Sequence, residues 1–109
     1  MIRLHDYVLS GSCYKVRLFM SLIGLDYTPV PVDFFPGREQ RSAEFLAINP
    51  LGQLPVLDDD GLVLRDAQAI LVYLAGKYDR TRQWYPEDPA AQGTIAMWLS
   101  FAGGEIMNA

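Results

Sequence analysis

Two prolines separated by one residue, Pro29 and Pro31 in YTPVPVDF (27–34), restrict this chain more than any other feature. Val30 and Val32 alternate with them at the period of a β-strand. A proline has no N–H to give to a neighbouring strand. Both prolines turn to the same side, so the segment is predicted to be a strand at the open edge of a sheet. Upstream, IRLHDYV (2–8) is short and β-leaning, and is predicted to be a strand ending near Tyr7. Between the two, from Ser12 or Cys13 to Ile23, Val16, Phe19, Met20 and Ile23 recur at i, i+3, i+4 and i+7, the face of a buried helix. Gly24 stops it. Strand, helix and strand in so few residues predict a right-handed βαβ unit with the proline strand outermost.

The pattern then reverses. FPGREQRSAEFLAIN reads as a Gly/Pro-broken loop followed by a weaker helix packing Phe45, Leu46 and Ile48. LPVL (54–57) and LVL (62–64) flank Asp60-Gly61, a hairpin turn signal. DAQAILVYLAGKY (66–78) is the clearest helix: Asp66 is a good N-cap, and Ala67, Ile70, Leu71, Leu74, Ala75 and Tyr78 make one apolar stripe. The expected order is β-α-β, a short helix, then β-β-α, an α/β fold around a four-stranded mixed sheet. After Tyr78, DRTRQWYPEDPAAQ carries charges and two prolines and reads as a linker into a helix starting near Pro89. In that helix Ile95, Trp98, Leu99, Ala102 and Ile106 are expected to form one stripe, widened by Met97 and Phe101. An arc so wide belongs to a helix covered on more than one side. The expected division is a domain over 1–78, a linker over 79–88, and over 89–109 the start of an all-helical domain within which the chain is cut.

Composition narrows the partners. Half of the 109 residues are hydrophobic and a fifth charged, as in a folded globular chain. A formal net charge of −4 argues against nucleic acid or an anionic membrane as partner. The single cysteine, Cys13, excludes an intrachain disulfide and a CxxC pair and fits a reducing compartment. Arg3, His5 and Asp6 interrupt the N-terminus where a signal peptide needs an apolar run. Cytoplasmic localisation is the expectation. His5 stands alone in its strand with no metal-ligand pattern, and is read as structural. No metal is expected.

SGSCYKVR (10–17) puts three nucleophile-capable side chains, Ser10, Ser12 and Cys13, at the mouth of the first helix. Serine is also among the best N-caps, so this stretch alone leaves capping and chemistry both open. Lys15 and Arg17 are expected to face solvent or a dimer partner. Trp84 and Trp98 are expected to pack.

Three motifs taken together, SGSCYKVR, NPLGQLPVL (49–57) and DAQAILVYL (66–74), resemble the amino-terminal, thioredoxin-like domain of cytosolic glutathione transferases. The second is similar to that family's Asn-Pro-x-Gly-x-x-Pro-x-Leu signature around a cis-proline, and the third to its acidic-Ser-x-Ala-Ile helix start. The resemblance covers residues 1 to about 78 and the linker, and WLSFAGGEI fits the start of the family's helical second domain. It implies glutathione as co-substrate, an electrophilic small molecule as acceptor, and a homodimer. By spacing to Arg17, Ser10 matches the catalytic serine of the serine-type classes. Ser12 matches the cysteine of the bacterial cysteine-type class and is the runner-up. Tyr7, by analogy with tyrosine-type classes, is a remoter candidate, otherwise a core aromatic.

Glutathione offers a carboxylate at each end, an ammonium at one, and a thiol between. Gln53, Leu54 and Pro55 are expected to give it an open backbone edge, with Pro55 cis, a form that X-Pro bonds adopt at little cost. The start of the third helix, Asp66-Ala67, offers backbone N–H groups to the γ-glutamyl carboxylate and a side-chain charge to the ammonium. Ala67 departs from the family, whose serine hydroxyl contacts that carboxylate. Arg38 and Arg41 are candidates for the glycyl carboxylate. The reading this supports is a glutathione transferase. The alternatives are a non-catalytic relative serving dimerisation or partner binding, a glutathione-dependent isomerase or peroxidase, and a thiol oxidoreductase using Cys13.

Overall fold

The computed structural model describes residues 1–106, except for the side chains of residues 105 and 106. Strand β1 (Ile2–Asp6) leads into helix α1 (Gly11–Leu22) and returns as β2 (Thr28–Pro31). A 3-10 turn (Glu39–Arg41) and short helix α2 (Ala43–Ile48) precede the hairpin of β3 (Val56–Asp59) and β4 (Leu62–Arg65). Helices α3 (Ala67–Tyr78) and α4 (Pro89–Phe101) follow, and α4 runs into a π-turn over Ala102–Ile106.

The sheet order is β2-β1-β3-β4. β1 and β2 are parallel, with His5 beside Val30, while β3 is antiparallel to both β1 and β4. The proline strand is therefore the edge its missing N–H groups required. β1 and β2 are shorter than their sequence patterns: β1 stops at Asp6 and β2 at Pro31, with the Val32 N–H still donating to the Asp6 carbonyl at 2.8 Å.

Alternation along the strands sorts the core into two layers. Ile2 and Leu4 of β1 and Leu57 of β3 meet Val16 and Met20 of α1 and Ala67, Ile70 and Leu74 of α3 on one face. On the other face Val32 and Val56 pack on Phe45 of α2, where the His5 ring also meets Phe45 edge-on at 6.0 Å. Burial pushes the His5 imidazole below its usual range, so it stays neutral near pH 7, in keeping with a structural role. The stripes predicted for α1 and α3 are the buried ones, with Phe19, Leu71 and Tyr78 partly covered at their margins.

Arg17 is not the solvent-facing residue expected. It forms an ion pair with Asp6 and donates to the Val8 carbonyl at 3.3 Å, joining α1 to the end of β1. A second tie fastens α3. The Asp59 carboxylate, 2% exposed, accepts from the hydroxyls of Tyr73 and Tyr78, both at 2.6 Å, and from Lys77 Nζ at 3.0 Å. Burial pushes its pKa up, but these three donors outweigh burial and bring it down to about 2.

Helix α4 has more than one apolar side, as expected, with Trp98 leaving the stripe in which it was placed. Ile95, Leu99 and Ala102, spaced i, i+4, i+7, turn inward and are half-buried. Trp98 instead pairs edge-on with Phe101 at 5.7 Å on the outer side, beside exposed Met97. Ile106, expected on the same stripe, lies outside the described side chains. Trp84 meets the Phe19 ring at 5.6 Å and is a packing residue, though a half-exposed one. Among the described residues no helix is long and apolar enough to cross a membrane.

Candidate functional site

The end of β1, the loop before β3 and the start of α3 converge on a cleft of about 650 Å³. Ser10 caps α1: its backbone is extended and its Oγ accepts from the Cys13 N–H at 3.2 Å. That bond uses an oxygen lone pair and leaves the hydroxyl proton free to point into the cleft, which Ser10 lines. The capping and chemical readings of Ser10 are therefore compatible. Ser12, half-buried in the first turn, lines the same cleft. Cys13 does not; its thiol is fully buried, and burial raises its pKa, so it remains protonated near neutral pH. Tyr7 is not the core aromatic expected. It lies past the end of β1, lines the cleft and packs on Phe34 with ring centroids 5.4 Å apart.

The opposite wall is the stretch from Asn49 to Pro55. Buried Asn49 organises it: its Nδ2 donates to the Gln53 carbonyl at 2.9 Å, and its Oδ1 accepts from the Leu51 N–H at 3.1 Å. Gly52 has φ +63, and a Cβ there would come 2.9 Å from the Gln40 carbonyl oxygen, so both conformation and space demand glycine. The Leu54–Pro55 bond is cis, as predicted; Phe35–Pro36 is cis as well, which the sequence did not suggest. Strand pairing begins only at Val56. Among the described residues the N–H and C=O of Leu54 have no hydrogen-bond partner. A short open strand edge thus borders the cleft, with Gln53, Leu54 and Pro55 all lining it.

Asp66 and Ala67 close the third side. Asp66 Oδ2 accepts from the Ala69 N–H at 3.1 Å, which caps α3. Its backbone has φ +80, ψ 116, far from where a residue with a Cβ rests, a strain of order 1–3 kcal/mol. Ala67, 4% exposed, lines the cleft, and its first-turn N–H has no partner among the described residues. No sequence signal announced the strain, because aspartate is an ordinary cap residue.

Of the two arginines singled out, only Arg41 lines the cleft. Arg38 sits exposed at the start of the 3-10 turn in left-handed conformation. The residue between them was missed. Gln40 is 7% exposed and lines the cleft beside Arg41, and its buried Oε1 has no partner among the described residues. An uncharged amide amid Arg38, Glu39 and Arg41 gives no pattern to read; the 3-10 turn rolls it inward while its neighbours stay exposed. Phe34, placed by the sequence pattern in the proline strand, instead lies beyond its end at Pro31 and lines the cleft. Among the described residues no cluster of three or more His, Cys, Asp or Glu could hold a metal ion.

Residues 4–83 match the family model of the glutathione S-transferase N-terminal domain. The chain belongs to the glutathione S-transferase family. Its relatives include a zeta-class glutathione S-transferase of Euphorbia esula, 46% identical over 94 residues, covering 86% of this chain and 38% of that protein. A maleylacetoacetate isomerase of Rhizobium meliloti is 45% identical over 78 residues, covering 72% of this chain and 36% of that protein. Among solved structures, glutathione transferase E6 of Drosophila melanogaster superposes with a TM-score of 0.87 at 35% identity, over 95% of this chain and 47% of that one. Human glutathione transferase theta-2, solved with glutathione and an unknown ligand, gives 0.85 at 33% identity over 94% of this chain and 42% of its own. The four-stranded thioredoxin-like sheet with a helix after it is the fold these family members share. The chain spans well under half the length of the curated relatives it matches.

Proposed function

We propose that the cleft binds glutathione and holds its sulfur as a thiolate that attacks an electrophilic small molecule. One observation carries the reading: an unpaired Leu54 backbone, an Asp66-Ala67 helix start and a Ser10 hydroxyl border one cavity. The Leu54 N–H and C=O take the cysteinyl backbone of the tripeptide as an added strand. The Ala67 N–H receives the γ-glutamyl carboxylate and the Asp66 carboxylate its ammonium. The strain at Asp66 is consistent with a ligand-holding role, since strained backbone gathers at such sites. At the other end, Arg41 and the Gln40 amide receive the glycyl carboxylate, and Gln53 flanks it. Arg38 is left with no role in binding.

The Ser10 hydroxyl donates to the glutathione sulfur, and the start of α1 adds positive potential. Both favour the thiolate at neutral pH. In conjugation a sulfur lone pair forms the new C–S bond while the leaving group departs with its electron pair, so the protein forms no covalent bond itself. Ser12 is the alternative donor. Buried Cys13 is unsuited to redox chemistry. A cytoplasmic homodimer, with domains over 1–78 and 89–109 joined by 79–88, is the setting this reading carries over from the family.

Glutathione-dependent isomerisation is the second reading, supported by the isomerase names of relatives 45% and 40% identical. The same thiolate adds to a conjugated carbon and later leaves, so turnover with glutathione unconsumed distinguishes it from conjugation. Ala67 lacks the hydroxyl that the family places at this seat, a loss worth about 1.5–3 kcal/mol of binding. Weak affinity is therefore expected, and a non-catalytic role is the outcome if binding occurs without turnover. The test is retention of the chain on immobilised glutathione with elution by free glutathione. Flow-through identical to that on a blank matrix would overturn the reading.

A further inference from the structure

Gly103 and Gly104 stand side by side in the π-turn after α4, yet their surroundings differ. Neither has the left-handed backbone that calls for glycine. A Cβ on Gly104 would meet nothing within 4 Å, whereas one on Gly103 would fall 2.6 Å from Gln68 Nε2 and 3.3 Å from its Cδ. Glycine is a poor helix former, so at 103 the constraint is space, and the residue claiming that space is Gln68.

Gln68 follows Asp66 and Ala67 at the start of α3, and its Nε2 donates to the Leu99 carbonyl of α4 at 3.4 Å. Among the described residues this is the one hydrogen bond from α3 to α4. Its side chain thereby forms a partition. Gln68 and Gly103 line the cleft on one side and, on the other, a hollow of about 350 Å³ shared with Ala69, Val72, Ala96, Leu99, Ser100 and Asp66. A side chain at 103 would drive the Gln68 amide off Leu99. The Asp66 carboxylate borders both the hollow and the cleft, and as a charged acceptor it draws the released amide more strongly than the Ser100 hydroxyl of the hollow does.

We propose that Gly103 is a positioning residue: by carrying no side chain it keeps Gln68 held against α4 and out of the seat beside Asp66 and Ala67. The proposal rests on the glutathione reading of that seat. Gly103 acts through Gln68, and its influence falls on the γ-glutamyl end of the ligand.

The test is a titration of this chain with glutathione, followed by calorimetry, for the unsubstituted protein, Gly103→Ala, Gly104→Ala and the double variant Gln68→Ala/Gly103→Ala. Gly103→Ala is expected to raise Kd at least fivefold, Gly104→Ala to leave it within twofold, and the double variant to regain most of the lost affinity. An unchanged Kd in Gly103→Ala, or a loss that the double variant fails to regain, overturns the proposal. Absence of binding in the unsubstituted chain instead overturns the glutathione reading itself. Should Gly103→Ala fail to fold, the double variant decides: near-native affinity supports the proposal and weak affinity overturns it.

Discussion

Helices α3 and α4 begin alike and end in different circumstances. Each starts at an aspartate whose carboxylate accepts from the third residue of the helix, at 3.1 Å for Asp66 and 3.0 Å for Asp88. Both helices are rich in apolar residues. Yet α3 buries Ala67, Ile70 and Leu74 in the core with the sheet and α1, and α4 fully buries nothing. Their caps differ as well: Asp88 has an ordinary φ of −62, while Asp66 is held at +80. Apolar composition makes a helix stick to something; only a facing layer decides how much it buries. Identical cap chemistry is strained only where the backbone must also border the cleft.

The largest expected contrast is between core truncations in the two helices. Leu74→Ala should cost about 2–5 kcal/mol in denaturant unfolding, and Ile95→Ala, at a half-buried site, clearly less. Equal losses would break the comparison. The next effect concerns the tie that holds α3 down. Asp59 has a folded pKa of about 2, below the usual value of about 3.9, so its contribution is complete above the higher value. It is lost as pH falls toward the lower one. Asp59→Asn should flatten the fall in stability between these pH values, and an unaltered acid limb would contradict the assignment.

Ser10→Ala should lose about 1 kcal/mol of stability with the cap and raise the pKa of bound glutathione thiol in ultraviolet titration. Ser10→Asn retains a capping oxygen and should separate the two, keeping stability while still raising the thiol pKa. An unchanged titration in both variants would move the role to Ser12. The smallest effect sharpens the cap comparison. Asp66→Gly relieves the positive φ and should hold or raise stability, by up to about 1 kcal/mol, while weakening glutathione binding. Asp88→Gly has no strain to relieve and should lose a few tenths of a kcal/mol. Matching changes would mean that Asp66 is a cap and nothing more.

The sheet and the two buried helices were legible because their signals are local and periodic. Pro29 and Pro31 dictated an edge, and Ile70 with Leu74 a buried stripe. The site was legible where a motif fixes backbone, as at Leu54-Pro55 and Asp66-Ala67. It was not legible at Gln40, which reaches the cleft from irregular chain where no period ties a residue to a face, nor at Phe34, where the strand pattern breaks off at Pro31. Arg17 was misplaced because the pairing of a surface-type residue depends on where β1 ends, which the sequence leaves uncertain by a residue or two. The width of the apolar arc of α4 indicated a helix with more than one apolar side, but not which residues of it, Ile95 and Leu99 or Trp98 and Phe101, would turn inward.

The most direct measurement is an amide-resolved nuclear magnetic resonance titration of this chain with glutathione. A saturating shift of the Ser10, Leu54 and Ala67 amides, with Met97 and Trp98 on the outer side of α4 unmoved, is the predicted result. Saturable shifts confined to α4, or none at any of the three cleft amides at millimolar glutathione, would contradict a glutathione-binding cleft.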